Sequence, residues 1–486
     1  MILGLLWRWT RRIGIGLLIV LATILTVRAV DAWRGPLLEP WHTFVPQEMS
    51  RAALATADLS AYLAAEDKVF EAVRTQVTDK LPPRDRERFN RYFAQSPAYP
   101  GHFAQDFNRT FVLEPEGDPV GAAVFLHGLT DSPYSLRHLA RRYAARGFLS
   151  IAIRLPGHGT VPGGLTAADH EDWIAATRLA MREARRRVGP GKPIHIIGYS
   201  NGGALALMHA LDALDDPKLV APEKIVLISP MVGVTRFARF AGIAGWPAVF
   251  PAFAKAAWLS IIPEFNPFKY NSFPVQAARQ SFLLTQALQA NINRHLRDER
   301  LAGLAPVLTF QSVLDHTVST RAVIETLHAR LEDNGSELVL FDINRDTHFE
   351  QLLNARADTA LSRLLPPAPR RFRTAVVTNV SADSGLAEVR VTPAGATEEM
   401  VTPLALSYPP DVYSLSHVAL PFPLTDGLYG LNPDPADDFG VRLGDIAARG
   451  EYGALIVNVD MLVRMSSNPF FPYLLERVDA GLPARP

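Results

Sequence analysis

Between Pro193 and Ala204 the sequence reads P-I-H-I-I-G-Y-S-N-G-G-A. A short apolar run, Ile194 to Ile197, ends in Gly198-Tyr199-Ser200-Asn201-Gly202, and a helix-forming run, Ala204 to Leu214, follows at once. The pattern predicts a strand, a sharp turn and a helix, with a serine at the apex. A turn this tight has no room for bulky neighbours, which accounts for glycine two residues before and two after the serine. It pushes the hydroxyl of Ser200 outward and leaves the N–H of Asn201 at a helix start, where it can bind an oxyanion. Ser200 is the candidate nucleophile and Asn201 a candidate oxyanion donor. The competing explanation is an ordinary structural turn.

A chain of 486 residues has room for one large α/β domain with additions or for two domains, and 48% hydrophobic residues supply an ample core. The formal net charge is zero, so nothing points to a nucleic-acid partner. Without cysteine there is no disulfide, thiolate metal site or cysteine nucleophile. The sequence has no His-Glu-x-x-His run and no glycine-rich phosphate loop, so no metal or cofactor is expected.

Residues 1–34 have the character of a membrane segment. Arg8, Arg11 and Arg12 precede an uncharged run from Ile13 to Val27, closed by Arg28. Arginines ahead of the run argue for a cytoplasmic N-terminus and a domain on the far side, anchored in the inner membrane and facing the periplasm. The alternative is a signal peptide and secretion after cleavage, but Val30-Asp31-Ala32 makes a poor cleavage site. Residues 35–106 form a helical arm, with apolar residues at helical spacing from Arg51 to Leu81 and a stop at Pro82-Pro83. No chemistry is evident in the arm.

From about Phe107 strand and helix patterns alternate. Val120 to Leu126, Phe148 to Arg154, Ile194 to Ile197, Lys224 to Ser229, Pro306 to Phe310 and Glu337 to Ile343 have the character of buried strands. Such alternation predicts a mostly parallel sheet covered by helices, with ligands at the carboxyl ends of its strands. The core is expected over 107–232 and 305–365. The insertion at 233–304, rich in Phe, Trp, Pro and Ala, suits a helical lid. Residues 366–486 form a β-containing C-terminal extension that completes the same domain.

The parts and their order resemble the α/β-hydrolase superfamily, in the branch of monoacylglycerol lipases, lysophospholipases and carboxylesterases. The resemblance rests on F-L-H-G-L-T-D-S-P at 125–133, R-L-P-G-H-G at 154–159, G-Y-S-N-G at 198–202 and V-L-D-H-T-V at 313–318. It covers about residues 107–350. It implies a serine, acid and histidine triad in that chain order, with Asp315 as the acid and Leu129 as the second oxyanion donor. For Asp315 the competing role is a helix cap. His127 and His158 are expected to order their loops. Two histidines compete as base. His348 follows the last core strand at the family's usual interval, but Thr347 and Glu350 flank it as a helix-capping box. His417, in S-L-S-H-V-A-L-P, has local surroundings closer to those of family histidines, and choosing it requires an insertion of about seventy residues. His417 is preferred, with His348 the alternative.

The resemblance and the membrane segment together imply a membrane-anchored serine hydrolase that cleaves carboxylic esters, lipid-like ones such as acylglycerols or lysophospholipids, through an acyl-enzyme. A thioesterase, amidase or acyltransferase using the same triad, or a non-catalytic binding protein on the same fold, are the alternatives. The sequence leaves the oligomeric state open.

Overall fold

The apolar runs become the strands of one ten-stranded sheet in the computed structural model, which describes residues 2–233, 251–315, 317–346, 361, 364–409, 414–444 and 464–483. The strands are β1 (Phe111–Leu113), β2 (Gly121–Leu126), β3 (Phe148–Ile153), β4 (Ile194–Tyr199), β5 (Lys224–Ile228), β6 (Val307–Ser312), β7 (Glu337–Phe341), β8 (Arg373–Ser381), β9 (Ser384–Thr392) and β10 (Met400–Ser407). Their order across the sheet is β1-β3-β2-β4-β5-β6-β7-β8-β9-β10. From β3 through β8 every neighbouring pair is parallel, whereas β1 and the β8-β9-β10 meander run antiparallel to their neighbours.

Parallel strands need crossover connections, and helices supply most of them. Those that position the site are α3 (Arg137–Ala145), α4 (His170–Val188), α5 (Asn201–Asp215) and α6 (Val275–Arg297), with α1 (Ile2–Arg34) and α2 (Leu59–Val73) before the sheet and α7 (Phe471–Asp479) after it. The ends of α4 follow from its charges. Asp169 and Asp172 form a capping box at its start, and Arg185, Arg186 and Arg187 sit at the negative end of its dipole.

Alternate strand residues feed two cores because successive side chains leave opposite faces. Val124, Leu126, Ile194 and Ile196 pack with Trp173 of α4, Leu207 of α5 and Leu288 of α6. Phe125, Ile197 and Tyr199 face the other way, towards Tyr143 of α3, Leu474 of α7 and Leu415, Leu420 and Phe422 of the C-terminal region. The residues beyond 366 therefore contribute three strands and most of one covering layer. At the far edge β10 is largely exposed and contains Pro403, a residue that sheets accept on an edge strand.

Of the 233–304 insertion, the aromatic run at 234–250 lies outside the described residues. Val275–Arg297 packs as α6 along one face of the sheet, its Asn291 bonded to Asp212 of α5 and its Gln280 to Asp169.

The arm contains more than its periodicity suggested. Asp58 caps α2 through the N–H of Ala61. One turn further in, Tyr62 donates to the carbonyl oxygen of Arg154 at 2.6 Å and Glu66 meets the Arg154 Nε at 2.9 Å. Glu48 takes the other side of the same guanidinium with both carboxylate oxygens, at 2.8 and 2.9 Å. An arginine buried this deeply stays charged because two carboxylates surround it. Burial alone would lower its pKa, but those charges hold it well above the ordinary value.

Candidate active site

Ser200 sits between β4 and α5 with φ 53° and ψ −115°, a left-handed conformation that non-glycine residues rarely adopt. The turn is held from outside. Ser200 N–H donates to Ile228 O at 3.0 Å, and Ser200 O accepts from Gly203 N and Met231 N. Gly198 and Gly202 are needed for close approach: a Cβ on Gly202 would overlap the backbone of Leu126, and one on Gly198 that of Gly202.

The loop after β2 lies beside the serine. A Cβ built on Gly128 would stand 3.3 Å from the Cβ of Ser200, which brings the backbone of Leu129 next to the elbow. Among the described residues the N–H groups of Leu129 and Asn201 donate to no turn or loop backbone carbonyl. His127 fixes this loop. Its Nε2 accepts the N–H of Leu155 at 3.0 Å, which leaves Nδ1–H to donate to Gly128 O at 2.9 Å. Burial and the neighbouring His158 push its pKa well below the ordinary value, so it stays neutral in this role. Thr130, at φ 61°, is tied by Tyr270 N–H to its carbonyl at 2.8 Å.

Asp315 follows β6 and divides its two oxygens between two tasks. Oδ1 accepts the N–H groups of Thr317 and Val318 at 2.9 and 3.0 Å, the capping role its sequence context allows. Oδ2 accepts from His417 Nδ1 at 2.8 Å and from Gln311 Nε2 at 3.0 Å. In the neutral ring a proton on Nδ1 would be held there, which would leave Nε2 as the nitrogen able to act as a general base.

His417 is placed by the C-terminal region. Ser312 donates to Leu415 O at 2.9 Å, and the ring of His417 stacks on Tyr199 with centroids 5.4 Å apart. Tyr199 directly precedes Ser200, so the imidazole, the carboxylate and the elbow share one end of the sheet. His348 lies outside the described residues. His158, the other loop histidine, bonds Pro156 O at 3.1 Å and packs edge-on to His127 and Trp173.

Gln311, Ser312 and Tyr199 escape a reading for reactive groups. Their signal is subtle: polar side chains at the end of apolar strands, where a buried polar atom requires a partner. No group of three or more metal-ligating side chains occurs among the described residues.

An elbow serine at the carboxyl edge of a parallel sheet and a carboxylate bound to an imidazole at the same end define a hydrolase architecture. The profile of the Alpha/beta hydrolase family matches residues 123–369, and the chain belongs to that family. It is an enzyme of the lipase and esterase type. Over 204 residues it is 28% identical to a thermostable monoacylglycerol lipase of Bacillus sp. (strain H-257), a match spanning 42% of this chain and 73% of that protein. Similar solved structures include a soluble variant of monoglyceride lipase from Saccharomyces cerevisiae in complex with a substrate analog. It is 14% identical with a TM-score of 0.36, covering 48% of this chain and 81% of that one. The monoacylglycerol lipase of Paleococcus ferrophilus is 16% identical with a TM-score of 0.35, covering 48% and 87%.

Proposed function

We propose that the protein is a membrane-anchored serine hydrolase that cleaves lipid-like carboxylic esters with Ser200, Asp315 and His417. The observation that carries this is the 2.8 Å contact from Asp315 to His417, whose ring stacks on the residue preceding Ser200. His417 Nε2 takes the proton as Ser200 Oγ bonds to the ester carbonyl carbon. The carbonyl oxygen becomes an oxyanion, bound by the N–H groups of Leu129 and Asn201. Collapse breaks the bond to the alcohol, which leaves with the proton from His417, and an acyl-enzyme remains. Water, deprotonated by the same imidazole, then releases the acid and restores Ser200. Asp315 holds the tautomer and stabilises the imidazolium throughout.

The lipid-like substrate is supported by the monoacylglycerol lipase relative and by α1. The helix has an apolar span at Trp7–Val27, long enough to cross a bilayer of about 30 Å. Thr23 satisfies its hydroxyl within the helix by donating to Ile19 O at 2.8 Å, as a lipid-facing threonine must. The helix continues through Val30-Asp31-Ala32 to Arg34, unlike the extended stretch a signal cleavage site needs, which supports a retained anchor. The arginines before the span support a periplasmic catalytic body.

A fluorophosphonate probe tests the chemistry, and hydrolysis of monooleoylglycerol beside a short soluble ester tests the substrate. Labelling of Ser200 with a preference for the oleoyl ester is expected. An unlabelled, folded protein would rule out the serine mechanism.

A further inference from the structure

A cavity of about 870 Å³ is not lined by Ser200, Asp315, His417, Leu129 or Asn201. It opens where α1 ends. Pro36 and Leu37, immediately after the helix, form one wall, Phe89 of the arm a second, Ile262 and Phe265 a third, and Val441 a fourth. The first, second and fourth of these come from outside residues 123–369, the part shared with the family. The cavity belongs to what this chain adds to the fold.

Several of its accessible side chains are apolar. Leu37 is 61% exposed, Phe89 46% and Ile262 40%, and Trp33 on the last turn of α1 is also exposed. Apolar side chains gathered at a mouth, in contrast to ones scattered singly, mark a binding surface. Several polar groups of the lining are already engaged, although Asp85 Oδ2 and Trp41 Nε1 are buried without a hydrogen-bond partner. Glu264 accepts the N–H groups of Asn271 and Ser272, His42 Nε2 bonds Ser272 Oγ, and Glu39 pairs with Arg84. The rim carries both signs, Arg88 and Arg442 against Glu87. Charges of both signs at the rim leave the apolar side chains as the surface we assign to ligand recognition. A volume of this size suits a small-molecule ligand. Its place relative to the membrane is set by Lys255, which donates to Gly35 O at 2.6 Å and so ties the end of α1 to the segment leading to Ile262.

We infer that this cavity takes one acyl chain of a lipid from the bilayer that holds α1. The inference rests on the membrane reading given above. The occupant follows from continuity: the first lining residues are the first after the anchor, so bilayer hydrocarbon is the nearest apolar phase. The bound chain holds the catalytic body against the membrane at a point separate from the triad.

The full-length protein, reconstituted in vesicles of phosphatidylethanolamine and phosphatidylglycerol with a trace of diazirine-acyl phosphatidylcholine, is irradiated and its adducts are mapped by peptide mass spectrometry. Adducts are expected on peptides containing Leu37, Phe89 or Ile262 as well as on α1. Phe89→Asp or Ile262→Asp should lower the cavity adducts roughly tenfold, the scale of losing one buried apolar side chain. Neither variant should alter hydrolysis of a soluble ester, which checks the fold. Adducts confined to α1 on vesicle-bound protein would overturn the inference, as would a second copy covering the cavity, seen as a dimer in native mass spectrometry with no cavity adducts. Protein that fails to float with vesicles would refute the membrane reading. A free diazirine fatty acid then decides the cavity separately, adducts at those peptides supporting acyl binding and their absence ending it.

Discussion

Glu66 and Arg154 meet at 2.9 Å with almost no exposed side-chain surface, one on the arm before the sheet and the other just after β3. The same arginine caps the carbonyl oxygen of His158, and Leu155 beside it donates to His127. The arm is thereby joined to the loop that carries Leu129, one of the two proposed oxyanion donors.

Removing Glu66 leaves the buried Arg154 with Glu48 as its remaining carboxylate. Glu66→Ala is expected to lower stability by about 1.5–3 kcal/mol, read as a shift in the urea midpoint. Arg74→Ala, which breaks an exposed pair with Glu71 on the same arm, should leave the midpoint unchanged. Equal effects would show that the arm is not fastened through Arg154.

The proposed triad makes unequal demands on two histidines. His417→Ala and Ser200→Ala should each reduce turnover roughly 10⁴–10⁶-fold with the fold intact, and Asp315→Asn about 10⁴-fold by presenting the wrong tautomer. His348→Ala should retain activity. Steady-state kinetics on a soluble ester, with circular dichroism as control, decides the matter; the reverse pattern would transfer the base to His348.

Gly202→Ala places a methyl group against the backbone of Leu126, which cannot yield because it belongs to β2 in the centre of the sheet. A loss of about 3 kcal/mol or more is expected. A melting midpoint within error of the parent's would mean that the elbow is looser than described.

Acid should destabilise the protein before its carboxylates titrate. Burial pushes His195 and His328 down to about 3, and His138 and His158 to about 4. The unfolded chain binds these protons near pH 6.5 and the folded chain only well below it, so protons favour unfolding. Stability is full above about pH 6.5 and falls towards pH 4 by ~1.4 kcal/mol per unit for each ring. Asp426 acts lower. Burial would raise its pKa, but Arg137 and His138 outweigh that and hold it well below the usual range, so its contribution is lost only in stronger acid. Urea midpoints at about pH 7.5 and about pH 5 measure the first effect, and His328→Gln should flatten it. Equal midpoints would contradict the neutral, buried state of these rings.

The serine turn was legible because its cause is local: two glycines and a change from strand to helix pattern within a few residues. The position of Asp315 just past a strand was legible for the same reason. The base was only partly legible: local context favoured His417 narrowly over His348, and their difference lies in where β8–β10 carry the chain. Glu66 was invisible. It is one acid among Asp67 and Glu71 on an amphipathic helix, and only burial against Arg154 sets it apart. The cavity beside α1 escaped for a related reason, being assembled from four segments that are distant in sequence.

Ser200 and Asp315 precede the antiparallel meander, and His417 comes after it. Under the proposed assignment the imidazole leaves the ribosome long after the alcohol it is to activate. A nascent chain, or one cut short by a protease, would carry a harmless serine. Lipolytic power would be acquired only once the tail has been delivered, sparing the membranes of the cell that makes it.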